Sequence, residues 1–261
     1  RYLPLGLPDT RRYLERAVRD GRVTSATITV KGDLFDFPFV PYTLAGERQH
    51  VVPSGEFRVS ARVEDGELAY VPSDNGEPSA WPAFSRVAGE LVFDRNAMEI
   101  RNAQARLWGV ELLKVSGNIR ELNRPVLKID GEARGPLSDM LRYVNSSPVS
   151  GWTGNALRGA TASGAAELKL ALELPIAELE RSIVQGTVQL AGNDVRLTRE
   201  TPLLAAAKAR ISFTQKGFSV AGATARVMGG EATFDGGTQQ DGRGLGVGFG
   251  NTKDLECQQD I

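Results

Sequence analysis

Apolar and polar residues alternate with a period of two along most of the chain. From Leu157 to Pro175, Ala160, Ala162, Gly164, Ala166, Leu168, Leu170, Leu172 and Leu174 fall on one face. Thr161, Ser163, Ala165, Glu167, Lys169, Ala171 and Glu173 fall on the other. Successive strand side chains point to opposite faces, so this spacing predicts one long strand, apolar on one side and mostly polar on the other. Leucine, alanine, lysine and glutamate favour helix intrinsically, but a helix would scatter those leucines around its axis. The alternation returns in Ala26, Ile28 and Val30, and in Phe57, Val59, Ala61 and Val63. It continues in Val87, Gly89, Leu91 and Phe93, in Val184, Gly186, Val188 and Leu190, and in Ala207, Ala209, Ile211 and Phe213.

Turn signals stand between these runs: Glu64-Asp65-Gly66, Asp94-Arg95-Asn96, Gly192-Asn193-Asp194 and Gln215-Lys216-Gly217. Short turns between alternating strands predict antiparallel hairpins laid down in order, a meander. Several strands share the form apolar, any, Gly, any, apolar, with glycine on the apolar face: Val87 to Leu91, Val115 to Ile119, Ile129 to Ala133 and Val184 to Val188. Glycine inside a strand marks a bend or bulge and lets a sheet curl. Two segments break the pattern. Asp9 caps an expected helix running to about Arg19, with Gly21 as its terminator. Leu137, Met140, Leu141 and Val144 stand at helical spacing, opened by Pro136 or Ser138 and stopped before Pro148.

Two short helices cannot cover the apolar face of about twelve strands. Either two sheets close on each other as a sandwich, or one sheet folds around an apolar groove. Inward positions Ala160, Ala162, Gly164, Ala166, Ala207 and Ala209 are small, and small residues leave volume that a dense core does not tolerate. The expectation is therefore a mainly β fold: a long curved antiparallel meander forming an apolar groove, with two short α-helices. A closed, non-catalytic scaffold sandwich is the alternative.

Composition narrows the chemistry. Of 261 residues, 41% are hydrophobic and 24% charged, as in a folded chain. The net charge of -1 lacks the basic excess of a nucleic-acid binder. One cysteine, Cys257, and one histidine, His50, cannot build a zinc site or a His-based metal cluster. No stretch approaches the ~20 apolar residues of a membrane-spanning helix. Residue 1 is Arg with no leader after it, so a piece of something longer is expected. Asp33 with Asp36, and Glu64-Asp65-Gly66-Glu67, read as turn and edge carboxylates rather than acid–base pairs. The glycines from Gly242 to Gly250 lack the strand–loop–helix context of a phosphate cradle. Trp81 reads as a packing anchor at a strand entry, and Phe35, Phe37 and Phe39 as an edge or turn-adjacent strand facing the core. No catalytic residue, metal ligand or cofactor is expected.

An ordered series of short motifs resembles the YhdP-type proteins of the AsmA-like superfamily. It begins at Tyr2-Leu3-Pro4 and Arg12-Tyr13-Leu14, and passes through Gly32-Asp33-Leu34 with Phe37-Pro38-Phe39. Gly55-Glu56-Phe57-Arg58-Val59, Ala69-Tyr70-Val71-Pro72 and Trp81-Pro82-Ala83-Phe84 follow, then Ile129-Asp130-Gly131 and Gly135-Pro136-Leu137. The resemblance covers residues 1–240 as a repeating β-groove segment, with a sub-boundary in the loop 146–155. Residues 241–261 lose the alternation and are expected to form an irregular tail that fits the family poorly.

The resemblance implies a segment of a longer bacterial envelope protein. Its location would be periplasmic, with an inner-membrane anchor and membrane contacts in the full-length protein. It would move phospholipid between inner and outer membranes without catalysis. The lipid-binding residues would be the apolar-face positions Ile28, Val30, Phe57, Val59, Leu91, Phe93, Val115, Ile119, Ile129, Leu168, Leu170, Leu172, Val188, Leu190, Ile211 and Phe213. Self-association through the open sheet edges of the excised segment is a further expectation.

Overall fold

A computed structural model describes residues 8–37, 39–43, 50–51, 54–73, 78–238 and 245–250. Helix α1 (Pro8–Ala17) leads directly into β1 (Val18–Gly32), and a small hairpin of β2 (Tyr42–Thr43) and β3 (His50–Val51) follows. Next come β4 (Gly55–Leu68), β5 (Phe84–Asp94), β6 (Ala97–Leu107), β7 (Val110–Ile119) and β8 (Val126–Pro136). Helices α2 (Leu137–Ser146) and α3 (Val149–Trp152) interrupt them. The chain resumes with β9 (Thr161–Ala162), β10 (Ala165–Pro175), β11 (Ile183–Arg196), β12 (Leu204–Thr214), β13 (Gly217–Val227), β14 (Gly230–Thr238) and β15 (Leu245–Gly250).

Twelve strands form one antiparallel sheet in chain order, β1-β4-β5-β6-β7-β8-β10-β11-β12-β13-β14-β15, with β9 attached to β11. This is the expected meander. Its edges, β1 and β15, do not pair with each other, so the sheet is open. The strands make their extensive contacts only with ladder neighbours, and no second sheet lies against the apolar face among the described residues. A closed sandwich is thereby set aside.

Several local expectations are corrected. Helix α1 stops at Ala17, and Gly21 lies inside β1, where an added Cβ would come within 3.0 Å of the Gly66 Cα. It is a site of close strand approach, not a helix terminator. Glu64-Asp65-Gly66 and Gly192-Asn193-Asp194 are not turns; β4 and β11 run straight through them. Asp94-Arg95-Asn96 and Gln215-Lys216 do connect strands. The long strand expected from Leu157 begins only at Ala165, after a run of turns. The loop 146–155 contains the one-turn helix α3, making three helices rather than two among the described residues. It lies beside the sheet, since β8 and β10 pair directly from Ala165↔Pro136 to Pro175↔Val126. Residues 34–36 form a 3-10 turn in place of a strand, leaving Phe35 99% exposed while Phe39 is buried. Past residue 240 the sheet gains β15, in which Leu245, Val247 and Phe249 alternate with glycines.

The reason that two turn signals fall inside strands is a line of β-bulges. Left-handed residues interrupt the ladders at Asp65 in β4, Arg86 in β5, Asn102 in β6, Lys114 in β7, Ala206 in β12 and Gly222 in β13, with φ from 49° to 61°. Each lies at a shift of register. A bulge adds one residue to its strand and so moves the period-two pattern by one step. Leu112 and Val115, an odd number apart, therefore share a face: Leu112 pairs with Ala133, and Val115 lies 3.1 Å from where a Gly131 Cβ would stand. Neighbouring strands satisfy the bulge amides. The Ala206 N–H donates to Asp194 Oδ1 at 2.9 Å, and the Gly222 N–H to Asp235 Oδ1 at 2.6 Å.

Helix α2 accounts for three of the six small positions, Ala162, Ala166 and Ala209. Leu137 packs into a buried cluster with Ala166, Leu190, Ala209 and Ala223, and Met140 borders it. These alanines make room for a helix, so at this end of the strands the core is filled and not left open. The Leu137 N–H donates to the Gly164 carbonyl at 2.9 Å, and the Gly109 N–H to Asp139 Oδ2 at 3.0 Å, tying the helix N-terminus to two strand connections.

Candidate functional site

Residues paired across an antiparallel ladder carry their side chains on the same face. One row of pairs crosses eight adjacent strands: Ala26, Ala61, Leu91, Ile100, Gly117, Ile129, Leu172 and Val184. A second crosses seven: Ile28, Val59, Phe93, Met98, Ile119, Leu127 and Leu174. A third runs from Ala105 through Leu112, Ala133, Leu168, Val188 and Ile211 to Val220 and Gly236. Between them, Gly131, Leu170, Gly186, Phe213 and Phe218 form a shorter row.

All sixteen apolar-face positions named from the sequence lie on this one face. Val30 joins it through its pair Phe57, Leu190 through Ala166, and Val115 through its contact with Gly131. Leu174, marked as apolar by the alternation, lies on it too, as do Met98, Ile100, Leu112, Leu127 and Phe218, which the alternation did not mark. The bulges at Asn102 and Lys114 put the alternation out of phase around three of them.

The face is only partly covered. It is buried under α2 and, at the opposite end, at Phe57, Phe93 and Ile119, whereas Leu91, Ile129, Leu168, Leu170, Leu172 and Ile211 are half-buried, and Ile28 and Val30 on the edge strand are 52% and 44% exposed. Glycines in the rows seat neighbouring side chains. A Cβ on Gly186 would overlap the Phe213 ring, and one on Gly117 would stand 3.2 Å from Ile129. The recurrent glycine is thus a socket for the residue on the next strand.

The opposite face is mostly polar and paired across the strands, with Val92 buried between Ser60 and Glu99. Arg58 meets Asp94 at 3.0 Å, Lys128 meets Glu173 at 2.7 Å, and Glu132 lies between Lys114 at 3.0 Å and Lys169 at 3.5 Å. The hydrogen bond and charge of Lys114 hold the Glu132 carboxyl below the usual carboxylate range, with Lys169 adding to the effect. No described charge of these pairs stands in the apolar rows.

At the helix end of the strands the β4–β5 connection meets α2 and α3 in an aromatic cluster. Tyr70 stacks on Phe84 at 4.7 Å, and Trp81 lies 5.9 Å from Tyr70, 6.4 Å from Tyr143 and 5.7 Å from Trp152. The Tyr70 and Tyr143 hydroxyls are 2.9 Å apart, and Tyr13 donates to the Tyr70 carbonyl at 2.8 Å. Burial raises all three phenols above their usual range. The Arg142 guanidinium lies 4.0 Å over the Trp108 ring. Trp81 is therefore a packing anchor, as its position beside Pro82 suggested.

The acidic candidates have structural roles. Asp33 accepts from the Phe35 N–H at 3.0 Å, and Asp65 occupies a bulge. Cys257 lies outside the described residues, and so does the side chain of His50. Among the described residues no group of three or more His, Cys, Asp or Glu is placed to hold a metal ion, and no helix is long and apolar enough to cross a membrane.

The family model described as YhdP protein matches residues 1–256 of the chain. The intermembrane phospholipid transporter YhdP of Escherichia coli (strain K12) is 24% identical over 197 residues, which are 75% of this chain. The match spans 14% of that relative's length. No solved structure matches the chain.

Proposed function

The chain belongs to the YhdP family, and we propose that it is a segment of an envelope lipid-transfer protein whose apolar sheet face shields phospholipid acyl chains between the inner and outer membranes. One observation carries this reading: the apolar rows run unbroken across adjacent strands and are not covered along their full length. Each methylene taken from water onto such a face contributes ~0.8 kcal/mol. From Leu168 to Leu174 the strand advances ~20 Å at ~3.4 Å per residue. One leaflet of a bilayer is ~15 Å of hydrocarbon, half of its ~30 Å core. An acyl chain lying along the strands fits that length.

Transfer of this kind makes and breaks no bond and needs no cofactor. It needs similar affinity at successive positions, because a strongly preferred site would trap the lipid. Rows of Leu, Ile, Val and Phe without an inserted charge meet that need. The sheet works in the periplasm, curled into a groove, and the full-length protein meets the membranes through parts outside this chain.

The test is lipid extraction from the purified chain followed by mass spectrometry. Phospholipid at a fixed ratio to protein supports the reading. Lipid-free protein that also takes up none from vesicles overturns it.

A further inference from the structure

The sheet repeats itself. Helix α1 opens a run of six sheet strands, β1 and β4 to β8, and helix α2 opens a second run of six, β10 to β15. The two helices share one spacing: Asp9, Arg12 and Tyr13 in α1, Asp139, Arg142 and Tyr143 in α2. Strands β5 and β6 match β12 and β13 in length, 11 residues each. Laid over one another without a gap, Ala103, Ala105, Arg106, Gly109 and Glu111 fall on Ala223, Ala225, Arg226, Gly229 and Glu231. Left-handed positions recur in the same register: Arg86 with Ala206, Asn102 with Gly222, and Trp108 with Met228, at φ from 49° to 61°. The two runs are copies of one unit.

The copies differ at one turn. In the first unit α2 clasps the β6–β7 turn: Asp139 accepts from the Gly109 N–H at 3.0 Å, and the Arg142 guanidinium lies 4.0 Å over the half-buried Trp108 ring. A Cβ on Gly109 would meet Asp139 Oδ2 at 2.6 Å. The β4–β5 connection beside it packs Tyr70 and Trp81 against α2 and α3. In the second unit the matching turn is Met228-Gly229. Met228 is 85% exposed, and apart from chain neighbours nothing described lies within 4 Å of where a Cβ on Gly229 would stand. Leu197 and Leu203, at the two ends of the β11–β12 connection, are exposed as well. Exposed apolar groups gathered at one place mark an interaction surface.

We propose that the Met228-Gly229 turn and the β11–β12 connection are the docking surface for the helix that opens a third unit, in the longer protein of which this chain is a segment. The matched relative extends far beyond the part that this chain covers, which leaves room for further units. The helix that fits has a carboxylate in its first turn for the Gly229 amide, as Asp139 serves Gly109, and an apolar side for Met228, Leu197 and Leu203. Helix α2 shows the principle. Its Leu137 packs on strands of the second unit, while Asp139, Arg142 and Tyr143 reach back to the first. Each helix thus belongs to one unit and latches the unit before it, and such nearest-neighbour interfaces hold a repeat array together. The proposal rests on the reading that the chain is a segment of a longer protein and is independent of lipid carriage.

Photocrosslinking in the full-length protein tests it, with p-benzoylphenylalanine replacing Trp108 or Met228, illumination of the cells, and peptide mapping by mass spectrometry. Position 108 should join the peptide containing Arg142. Position 228 should join, at a yield within about threefold, a peptide of the same polypeptide beyond residue 261 that carries an Asp or Glu at a helix start. If position 108 joins α2 while position 228 joins another protein, a phospholipid, only peptides of its own unit or nothing, the docking surface is overturned. Failure of position 108 to join α2 overturns the clasp from which the equivalence is drawn, and the proposal with it. An intact mass no greater than that of the 261-residue chain overturns the segment reading instead.

Discussion

The Asn193 carboxamide occupies the space that a side chain at Gly164 would need: a Cβ there would stand 2.9 Å from Asn193 Nδ2. Asn193 is 1% exposed, and its Nδ2 donates to the Ser163 and Ala165 carbonyls at 2.9 and 3.0 Å. Its Oδ1 accepts from the Ala191 N–H at 3.1 Å. One side chain thus ties the β9–β10 turn to the bulge of β11, with Gly164 at φ 82° making the approach possible.

Removing that amide strands three backbone groups. A buried group left unsatisfied costs ~1–3 kcal/mol. Asn193→Ala should therefore lower unfolding stability by ~2–4 kcal/mol in urea denaturation. Asn193→Asp should fall in the same range, because a carboxylate cannot donate to either carbonyl. A loss below ~0.5 kcal/mol for both would show that the staple is redundant.

Leu170 and Lys169 are adjacent in β10 but face opposite sides: Leu170 pairs with Gly131 and Gly186, whereas Lys169 pairs with Glu132 and Thr187. Leu170→Asp puts a charge into the apolar rows, and Lys169→Gln leaves them intact. Bound phospholipid, measured by mass spectrometry, should drop about tenfold or more for the first and stay within twofold for the second. Circular dichroism should remain that of a folded sheet in both, since Leu170 is only half-buried. Equal lipid loss from the two substitutions would sink the assignment of the face.

The Phe213 ring lies over Gly186, so Gly186→Ala should cost ~1–3 kcal/mol through forced repacking. Phe213→Ala made in the same chain should recover part of that loss, because the methyl then fills space the ring has vacated. A double-mutant cycle checks it, with an expected coupling of ~1 kcal/mol or more. Strict additivity would mean that the ring moves aside without strain.

Glu132 supplies the pH prediction. Its carboxyl is depressed, first by the hydrogen bond and charge of Lys114 and then by Lys169. A depressed folded-state value means that its contribution to stability is present above the unfolded value of ~4.3 and is lost as pH falls through the folded value. Carbon-detected titration of the carboxyl should show a midpoint below the ordinary glutamate range. Lys114→Ala should raise that midpoint more than Lys169→Ala, and the reverse order would contradict the geometry.

The strand alternation, the meander and the separation of Leu170 from Lys169 were legible in the sequence because period two is a property of the local backbone. Helix α2 was legible for the same reason, through the spacing of Leu137, Met140, Leu141 and Val144. What lay beyond reach was decided between strands. Whether Asp65 or Asn193 marks a turn or a bulge depends on which residues stand opposite, and the bulge amides of Ala206 and Gly222 are satisfied by Asp194 and Asp235 on neighbouring strands. Each bulge shifts the phase of its strand, which is why Leu112 and Val115 share a face that simple alternation denies them. The small residues Ala166 and Ala209 carried no sign of whether they bordered an empty groove or seated a helix. Packing of Leu137 against them, across more than seventy residues of chain to Ala209, settled it.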